Sequence, residues 1–326
     1  MQNVMKALRQ FFNRRNTAIL LGSLALIIVG RILFPVPLPT IQIPAERIPG
    51  LTVFGFPITN TLLATLLADI TLLALALAVR RRMELIPSGL QNLVEWFIET
   101  FYNLAEEIAE ENARRFFPLF MTILLFLLVA NWWELVPGFD SIGIIEEAHE
   151  EGMRAYHIKD LGPIAILTPE LAGAEGHGYI LIPFLRAAAT DLNLPLALAI
   201  IVVIYVQIVG FQALKWGYVR KFFNFKSFLE AFVGLLELVS EFAKIISFTF
   251  RLFGNIFAGQ VLLFVIPFLI PFLAVLPFYG LELFVGFMQA FVFAILALVF
   301  SSMATVSHEH HEHEEPAVEV SEASAA

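Results

Sequence analysis

One segment of the chain concentrates polar residues within an otherwise apolar run. The segment is ELVSEFAKIISFTFRLFGN, which begins at Glu237 and ends at Asn255. At about 100° per residue, its polar residues fall within an arc of roughly 120° on a helix that rises about 27 Å. That length is close to the ~30 Å of bilayer hydrocarbon, so the pattern predicts a membrane helix with one wet or paired face. The polar residues of this stripe are Glu237, Ser240, Glu241, Lys244, Ser247, Arg251 and Asn255.

Arg251 limits the chemistry that this stripe can perform. A charged side chain at the bilayer centre costs roughly 2.5–3.5 kcal/mol, so a wet face or a charged partner is favoured over simple burial against other protein. Arginine keeps its proton because its pKa exceeds about 12, and Arg251 is therefore a poor proton relay. It is a good fixed charge that attracts a passing carboxylate, keeps it ionised and blocks the direct passage of cations.

Other predicted spans carry isolated polar pairs. Asn131 and Glu134 are three residues apart and share one helix face, and Glu282 and Gln289 are seven apart and also share a face. Gln260 follows Arg251 by nine residues, on the opposite side of the same helix, where we expect it to point toward Glu282.

Asp191 precedes another apolar run, within the sequence Thr190, Asp191, Leu192, Asn193. Two interpretations of Asp191 remain open from the sequence. It is either a helix cap or a further polar group of an ion path.

The amino-acid composition indicates that much of this protein is surrounded by lipid. Of its 326 residues, 59% are hydrophobic and 15% are charged, against roughly 45–50% and about 25% in soluble domains. Lipid as solvent explains the excess. The absence of cysteine excludes disulfides, thiol catalysis and cysteine-ligated metals. The chain has no GxxxxGK[ST] loop for a nucleotide and no footprint of nucleic-acid binding.

The sequence predicts an all-α fold, that of a polytopic membrane protein with about six membrane helices. The last two are long, which predicts a strong tilt, and Pro267, Pro271 and Pro277 are expected to break the boundary between them. The first could instead be a signal peptide, but no small-residue cleavage site follows it, which favours a retained helix. The predicted spans are 17–34, 58–79, 118–137, 194–214, 231–265 and 268–305.

The distribution of basic residues predicts the orientation. Lys and Arg cluster before the first span, after the second, before the third and after the fourth. Placing these clusters in the cytoplasm puts both termini inside. Glu237, Ser240, Glu241, Lys244 and Ser247 then lie on the cytoplasmic side of Arg251. Asn255, Gln260, Glu282, Gln289 and Glu134 lie at its level or on the outer side, so the polar groups form two half-channels that meet at a positive barrier.

The chain divides into an N-terminal membrane helix with an outer segment, 1–57, and a channel domain, 58–326. Within the latter we predict an amphipathic cytoplasmic segment at 80–117, an irregular outer loop at 138–190 and a disordered tail at 306–326. The tail carries His308, His310, His311 and His313. A solvated tail is favoured over a metal site because no element fixes a coordination geometry, so no metal or cofactor is predicted.

Five motifs in order resemble subunit a of F-type ATP synthases. They are PLFMTILLFLLVANWWELVPG, TDLNLPLALA, LELVSEFAKIISFTF, RLFGNIFAGQ and FMQAFVFAILALVFSSMA, and together they cover most of residues 115–305. The resemblance implies a stationary, non-catalytic channel subunit beside a rotating ring of c subunits, each with a membrane carboxylate. It implies b-type peripheral stalk subunits and other ATP synthase subunits as partners, and lipid around it, in an energy-coupling membrane such as the bacterial inner membrane.

By this resemblance Arg251 is the essential arginine that faces the ring carboxylate. The outer proton path would be lined by Asn131, Glu134, Asp191, Asn255, Gln260, Glu282 and Gln289. The cytoplasmic path would be bordered by Glu237, Ser240, Glu241, Lys244 and Ser247. Relatives often have an acid at the Gln260 site and a histidine at the Glu282 site, so the departure here makes Glu282 the more critical titratable group.

Other readings are a sodium-coupled version of the same subunit, an unrelated secondary ion transporter and a structural membrane anchor. A transporter with the buried charges as its substrate site predicts an inverted repeat, which the sequence does not show. An anchor does not explain the costly polar stripe.

Overall fold

The structure is a computed structural model that describes most of the chain. It covers residues 22, 25, 28, 29, 44–53, 55–81, 83–147, 156–160, 165–171, 179–222, 227–269 and 275–305. Apart from four of its residues, the predicted first span 17–34 lies outside the described residues, and so does the histidine-rich tail.

Helices dominate the described part of the chain, and five helical stretches in it are long and apolar enough to cross a membrane. These stretches match the predicted second to sixth spans, and the helical membrane fold is confirmed. The helices are α1 Asn60–Arg81, α2 Gly89–Ala109, α3 Ala113–Trp133, α4 Asn193–Leu214, α5 Trp216–Phe222, α6 Phe228–Leu269 and α7 Val275–Met303. A 3₁₀ turn at Glu110–Asn112 joins α2 to α3 in one apolar stretch, and another, Ala188–Thr190, precedes α4.

The two C-terminal helices exceed the length that a membrane requires. The 42 residues of α6 rise about 63 Å, twice the ~30 Å hydrocarbon thickness, so α6 must be inclined or project beyond the bilayer. Pro267 lies in the last turn of α6, two residues before its end, so the boundary between α6 and α7 falls where the prolines predicted it. Pro277 lies in the first turn of α7, where a missing N–H breaks no intrahelical bond.

The predicted irregular loop 138–190 contains strands, so that expectation was wrong. Four strands, β3 Gly143–Glu147, β4 Tyr156–Asp160, β5 Ala165–Leu171 and β6 Tyr179–Pro183, form an antiparallel sheet. Their order is β3-β6-β4-β5, and Ile145 of β3 faces Leu181 of β6. Its short apolar segments satisfy their backbone groups by pairing with one another. A separate hairpin of β1 Arg47–Val53 and β2 Phe56–Thr59 precedes α1.

Helix α2 has the amphipathic character predicted for it. Phe101 and Ala105 are buried, while Glu99, Glu106 and Glu107 are exposed. The buried side of α2 packs against α3 and α7. Its cytoplasmic location stays a prediction.

The core of the molecule forms where α3 meets α7 and α6 meets α4 and α7. Helices α3 and α7 approach closely at Gly286, because a side chain there would meet the Cβ of Asn131 at 3.1 Å. The Asn131 amide donates to the Gly286 carbonyl at 3.0 Å, and the Trp132 indole donates to the Leu283 carbonyl at 3.2 Å. Polar side chains of α3 are therefore satisfied by the backbone of α7.

We expect Gly286→Leu to destabilise the protein, because the added side chain forces α3 and α7 apart. Overpacking costs typically about 1–3 kcal/mol, which should lower the apparent melting temperature of the purified chain in detergent by about 5 °C. Gly280→Leu is the matched control on the same helix, since a Cβ at Gly280 meets nothing within 4 Å. Equal melting temperatures for the two variants would contradict the close approach.

Candidate functional site

The polar stripe of α6 lies at the edge of the helix bundle. Glu241 is buried in the bundle, whereas Ser240, Ser247 and Asn255 are exposed on its outer surface. Arg251 is half-buried between these two environments. One flank of the stripe therefore contacts other helices of this chain, and the other flank opens outward.

The Arg251 guanidinium is held by its own helix. Its Nη2 donates to Ser247 Oγ at 3.2 Å, and the Asn255 amide donates to the Arg251 carbonyl oxygen at 2.8 Å. Among the described residues, no carboxylate lies within ion-pair distance of Arg251. The neighbouring Phe250 is 57% exposed on the same helix. Arg251 therefore presents its charge at the surface of the bundle, where an outside partner can reach it.

Lys244, two turns before Arg251, is satisfied within the chain. Its Nζ lies 2.7 Å from Glu241 Oε1 and 4.8 Å from the ring centroid of Phe300. The second oxygen of Glu241 accepts from Gln207 Nε2 at 2.9 Å, and Gln207 Oε1 accepts from the Tyr218 hydroxyl at 2.9 Å. We refer to Tyr218, Gln207, Glu241 and Lys244 as the inner network. It neutralises Lys244 and turns its charge away from the open flank.

A second polar cluster contains carboxyl groups from three parts of the chain. Glu134 ends α3, Asp140 follows it in the loop, and Glu282 lies on α7. Each has one buried carboxyl oxygen without a hydrogen-bond partner among the described residues. Gln260 Nε2 donates to Asp140 Oδ2 at 3.4 Å. We refer to Glu134, Asp140, Gln260 and Glu282 as the outer acid cluster, a name taken from the predicted orientation of the chain.

The Gln260 amide donates to Asp140, and the expected approach of Gln260 to Glu282 stays a prediction. The preceding residue, Gly259, contacts the Glu282 carboxyl group, and a side chain at Gly259 would overlap it. The absence of a Cβ thus lets a carboxyl group of α7 lie directly against the backbone of α6.

Asp191 lies two residues before α4 and contacts both the first residue of that helix and another helix. Its carboxylate accepts from the backbone N–H and the side-chain amide of Asn193, at 3.3 and 3.0 Å. It also accepts from the Thr61 hydroxyl of α1 at 3.4 Å. The bonds to Asn193 favour the helix-end interpretation of Asp191, and its role in an ion path stays a prediction.

Three other predicted site residues are not members of the inner network or the outer acid cluster. Glu237 is half-buried on the first half of α6, and Gln289 is half-buried two turns after Glu282 on α7. Asn131 is buried, and its amide is engaged by the α7 backbone.

Sequence reasoning missed Asp140, Arg186 and Glu46. Arg186 is buried, its Nη1 donates to the Pro44 carbonyl at 3.2 Å, and its charge acts on Glu46 and Asp140. Glu46 accepts from the Asn60 amide at 3.1 Å. Asp140 and Arg186 could have been found from the sequence, because each is a charged residue close to the end of an apolar run. Arg186 thereby connects the segment that immediately precedes the hairpin of β1 and β2 to the outer acid cluster.

The electrostatics outside the spans follow from burial. Burial raises the pKa of Asp140 to about 6, although the bond from Gln260 and the charge of Arg186 oppose the shift. Burial also raises the pKa of Glu46 and lowers the pKa of Arg186, the nearby opposite charges acting against both shifts. A carboxyl group with a pKa near 6 can take up and release protons at physiological pH.

The inner network and the outer acid cluster lie on either side of Arg251 along α6. Glu241 is ten residues before it and Gln260 nine residues after it, which correspond to about 15 Å and about 14 Å along the axis. The arrangement can hold protons at two levels and keep a fixed positive charge between them.

Comparison with known proteins gives one family. The family described as ATP synthase A chain matches residues 61–302. A protein named ATP synthase subunit a from Campylobacter jejuni is 31% identical over 241 residues, which cover 72% of this chain and 85% of the relative. Proteins of the same name from Moorella thermoacetica and Citrifermentans bemidjiense are each 29% identical, covering 78% and 76% of this chain and 93% and 87% of their own length.

We expect Asp140→Asn to change the pH dependence of stability. Because the pKa of Asp140 is about 6 in the folded chain and about 3.9 when unfolded, the folded state binds more protons between these values. Its stability therefore falls as pH rises from about 4 to about 6. The variant lacks this loss of stability. Its melting temperature in detergent should therefore rise relative to that of the native chain as the pH increases from about 4 to about 6.

Between pH 4 and pH 7, the unfolding free energy of the variant should rise relative to that of the native chain by about 1–3 kcal/mol. Glu147→Gln is the matched control, because Glu147 is an exposed acid on the adjacent strand β3. A difference between the Asp140 variant and the native chain that is independent of pH would show that Asp140 does not titrate in this window.

Proposed function

This chain belongs to the ATP synthase A chain family, and from that premise we propose that it is the stationary subunit that guides protons to and from a rotating c-ring. As a member of the family it is an integral membrane protein and a proton-channel subunit of the ATP synthase complex. In the proposed mechanism, two offset half-channels load and unload the ring carboxylates, and Arg251 prevents protons from passing directly between them.

The proposal rests on the position of Arg251. Its charge opens outward from the bundle, and no described carboxylate pairs with it. A guanidinium at this depth requires water or an opposite charge. A carboxylate on a neighbouring rotor supplies that charge, and Arg251 in turn keeps the carboxylate ionised while it passes. Because arginine does not release its proton, the ring cannot exchange protons through Arg251 itself.

The outer half-channel is proposed to run through the outer acid cluster. Carboxyl oxygens of Glu134, Asp140 and Glu282 are buried without hydrogen-bond partners among the described residues, so each requires a proton or water. Glu282 lies against α6 at Gly259, eight residues beyond Arg251, and is proposed as the group that delivers protons toward the ring. The other proposed outer residues are Asn131, Asp191, Asn255, Gln260 and Gln289.

The cytoplasmic half-channel is proposed to follow the open flank of α6, along Ser240 and Ser247. Glu237, Glu241 and Lys244 border it from the bundle side. The Glu241–Lys244 ion pair supports this path, because it keeps a second positive charge from adding to the barrier at Arg251.

Chemistry on ATP is proposed to take place on other subunits of the complex. The c-ring, the b-type peripheral stalk subunits and surrounding lipid are the proposed partners. The proposed location is an energy-coupling membrane such as the bacterial inner membrane, and the distribution of Lys and Arg supports an orientation with both termini in the cytoplasm.

Arg251→Ala is expected to abolish ATP-driven proton pumping by the assembled complex in membrane vesicles. Loss of a close charge pair, worth about 4 kcal/mol at the effective dielectric of a protein surface, predicts a fall of at least about 100-fold. Quenching of a pH-sensitive dye measures the pumping. Arg114→Ala, which removes an exposed arginine near the start of α3, is the control and should pump normally. Native pumping by the Arg251 variant would refute the proposed barrier.

Glu282→Gln is expected to lower ATP-driven pumping by about tenfold or more, because an amide cannot release a proton to the ring. Glu282→Asp, which keeps a titratable group at the same position, should retain a larger share of the activity. The same dye assay serves, with assembly of each complex verified by its subunit content. If the glutamine variant pumps like the native complex, Glu282 has no role in the outer path.

A further inference from the structure

The turn of α6 does not by itself decide the direction of the Lys244 side chain. Lys244 precedes Arg251 by seven residues, so the two lie within about 20° of each other around the helix axis. Ser240, which is exposed on the open flank, lies about 40° to one side of Lys244, and the buried Glu241 lies about 60° to the other. The flexible lysine stem can reach either side. A contact with another side chain must therefore select the inward direction.

Glu241 supplies this contact, and a neighbouring helix holds Glu241 in turn. Its Oε1 lies 2.7 Å from Lys244 Nζ, and its Oε2 accepts from Gln207 Nε2 of α4 at 2.9 Å. An ion pair between two long side chains of one helix, without such an anchor, holds no single geometry and contributes little. Gln207 thus ties the pair to the bundle.

Tyr218 determines which end of the Gln207 amide faces Glu241. An ionised carboxylate only accepts hydrogen bonds, so the amide must present its NH₂ group to Glu241. The amide oxygen then faces the other way, where it accepts from the Tyr218 hydroxyl at 2.9 Å. The bonds therefore donate in one direction, from Tyr218 through Gln207 to Glu241, and bonds in such a chain strengthen one another.

Packing beyond the end of α4 fixes the position of Tyr218. This residue lies on the seven-residue helix α5. Its ring is buried and occupies the space beside Gly210, where a Cβ would lie 2.3 Å from the ring. Phe222, one turn later, packs edge-on against it with the ring centroids 5.6 Å apart. A short helix outside the predicted spans thus brings a hydroxyl group to a network inside the bundle.

We propose that Gln207 and Tyr218 are positioning residues, which keep Lys244 away from the open flank by fixing Glu241. Without them Lys244 shares this flank with Arg251, about 10 Å away along the helix axis. A second positive charge then opposes the protons that pass between the cytoplasm and the ring. This effect on pumping rests on the proposed cytoplasmic half-channel, whereas the direction of the Lys244 side chain is measurable without it.

Reductive methylation of the assembled complex with formaldehyde, a small reagent, measures how far Lys244 is open to water. Mass spectrometry quantifies the methylation of Lys244 relative to that of Lys215, an exposed lysine of the same chain. Gln207→Leu donates nothing to Glu241 and should raise the relative methylation by about tenfold, as for loss of a hydrogen bond to a charged group. Tyr218→Phe removes one hydroxyl but keeps the ring, and should raise it by about two- to fivefold.

ATP-driven pumping distinguishes positioning from a general role in packing. Gln207→Leu should lower pumping by about three- to tenfold, the effect of one added charge about 10 Å from Arg251 at the effective dielectric of a protein. In a Lys244→Met background the same substitution should lower it by less than about twofold, because no second charge remains to be released. An equal loss of pumping in the two backgrounds would assign Gln207 a packing role and overturn the proposal.

Gln212→Leu is the matched control. Gln212 is on the same helix, but its amide oxygen accepts from Arg115, so Lys244 should be methylated in this variant as in the native complex. Native methylation of Lys244 in both the Gln207→Leu and the Tyr218→Phe complexes, with assembly verified by subunit content, would overturn the positioning role and leave the proposed path along α6 unaffected. Increased methylation together with native pumping would support the positioning role and refute the proposed course of the cytoplasmic half-channel.

Discussion

A guanidinium in the hydrocarbon of a bilayer is stable only beside water or an opposite charge, and the arrangement around Arg251 follows from this constraint. Ser247 and Asn255 bind its side chain and its backbone, but they do not neutralise it. Lys244, two turns away, is neutralised by Glu241. The chain thus leaves one positive charge of α6 open to the outside and closes the other, which concentrates the electrostatic barrier at a single level.

Glycine determines how closely the helices bring polar groups together. At Gly286 the absence of a side chain lets Asn131 reach a backbone carbonyl of α7. At Gly259 it lets the Glu282 carboxyl group lie against α6. Both contacts replace packing of large apolar side chains by polar contact with a neighbouring helix, as expected where small residues line membrane helix interfaces. The outer acid cluster exists because α3, α6 and α7 approach each other at these points.

The helices were predictable because lipid imposes a long apolar run on each of them. The stripe on α6 was also predictable, since a period of 3.6 residues places its polar members on one side. The outer acid cluster was only half predictable. Glu134 and Glu282 stand out within apolar runs, but Asp140 and Arg186 lie in loop sequence, and only tertiary contacts bring them together. The sheet of β3 to β6 was missed because strand pairing depends on partners distant in sequence.

The location of each charge along a span did not reveal its environment. Lys244 and Arg251 both lie within α6, which is long enough to cross a membrane, yet their side chains lie in different environments. Lys244 turns inward and finds Glu241, so it requires nothing from outside. Arg251 turns outward and has no partner of opposite charge among the described residues. The same cost of desolvation therefore requires water or an opposite charge that these residues do not supply.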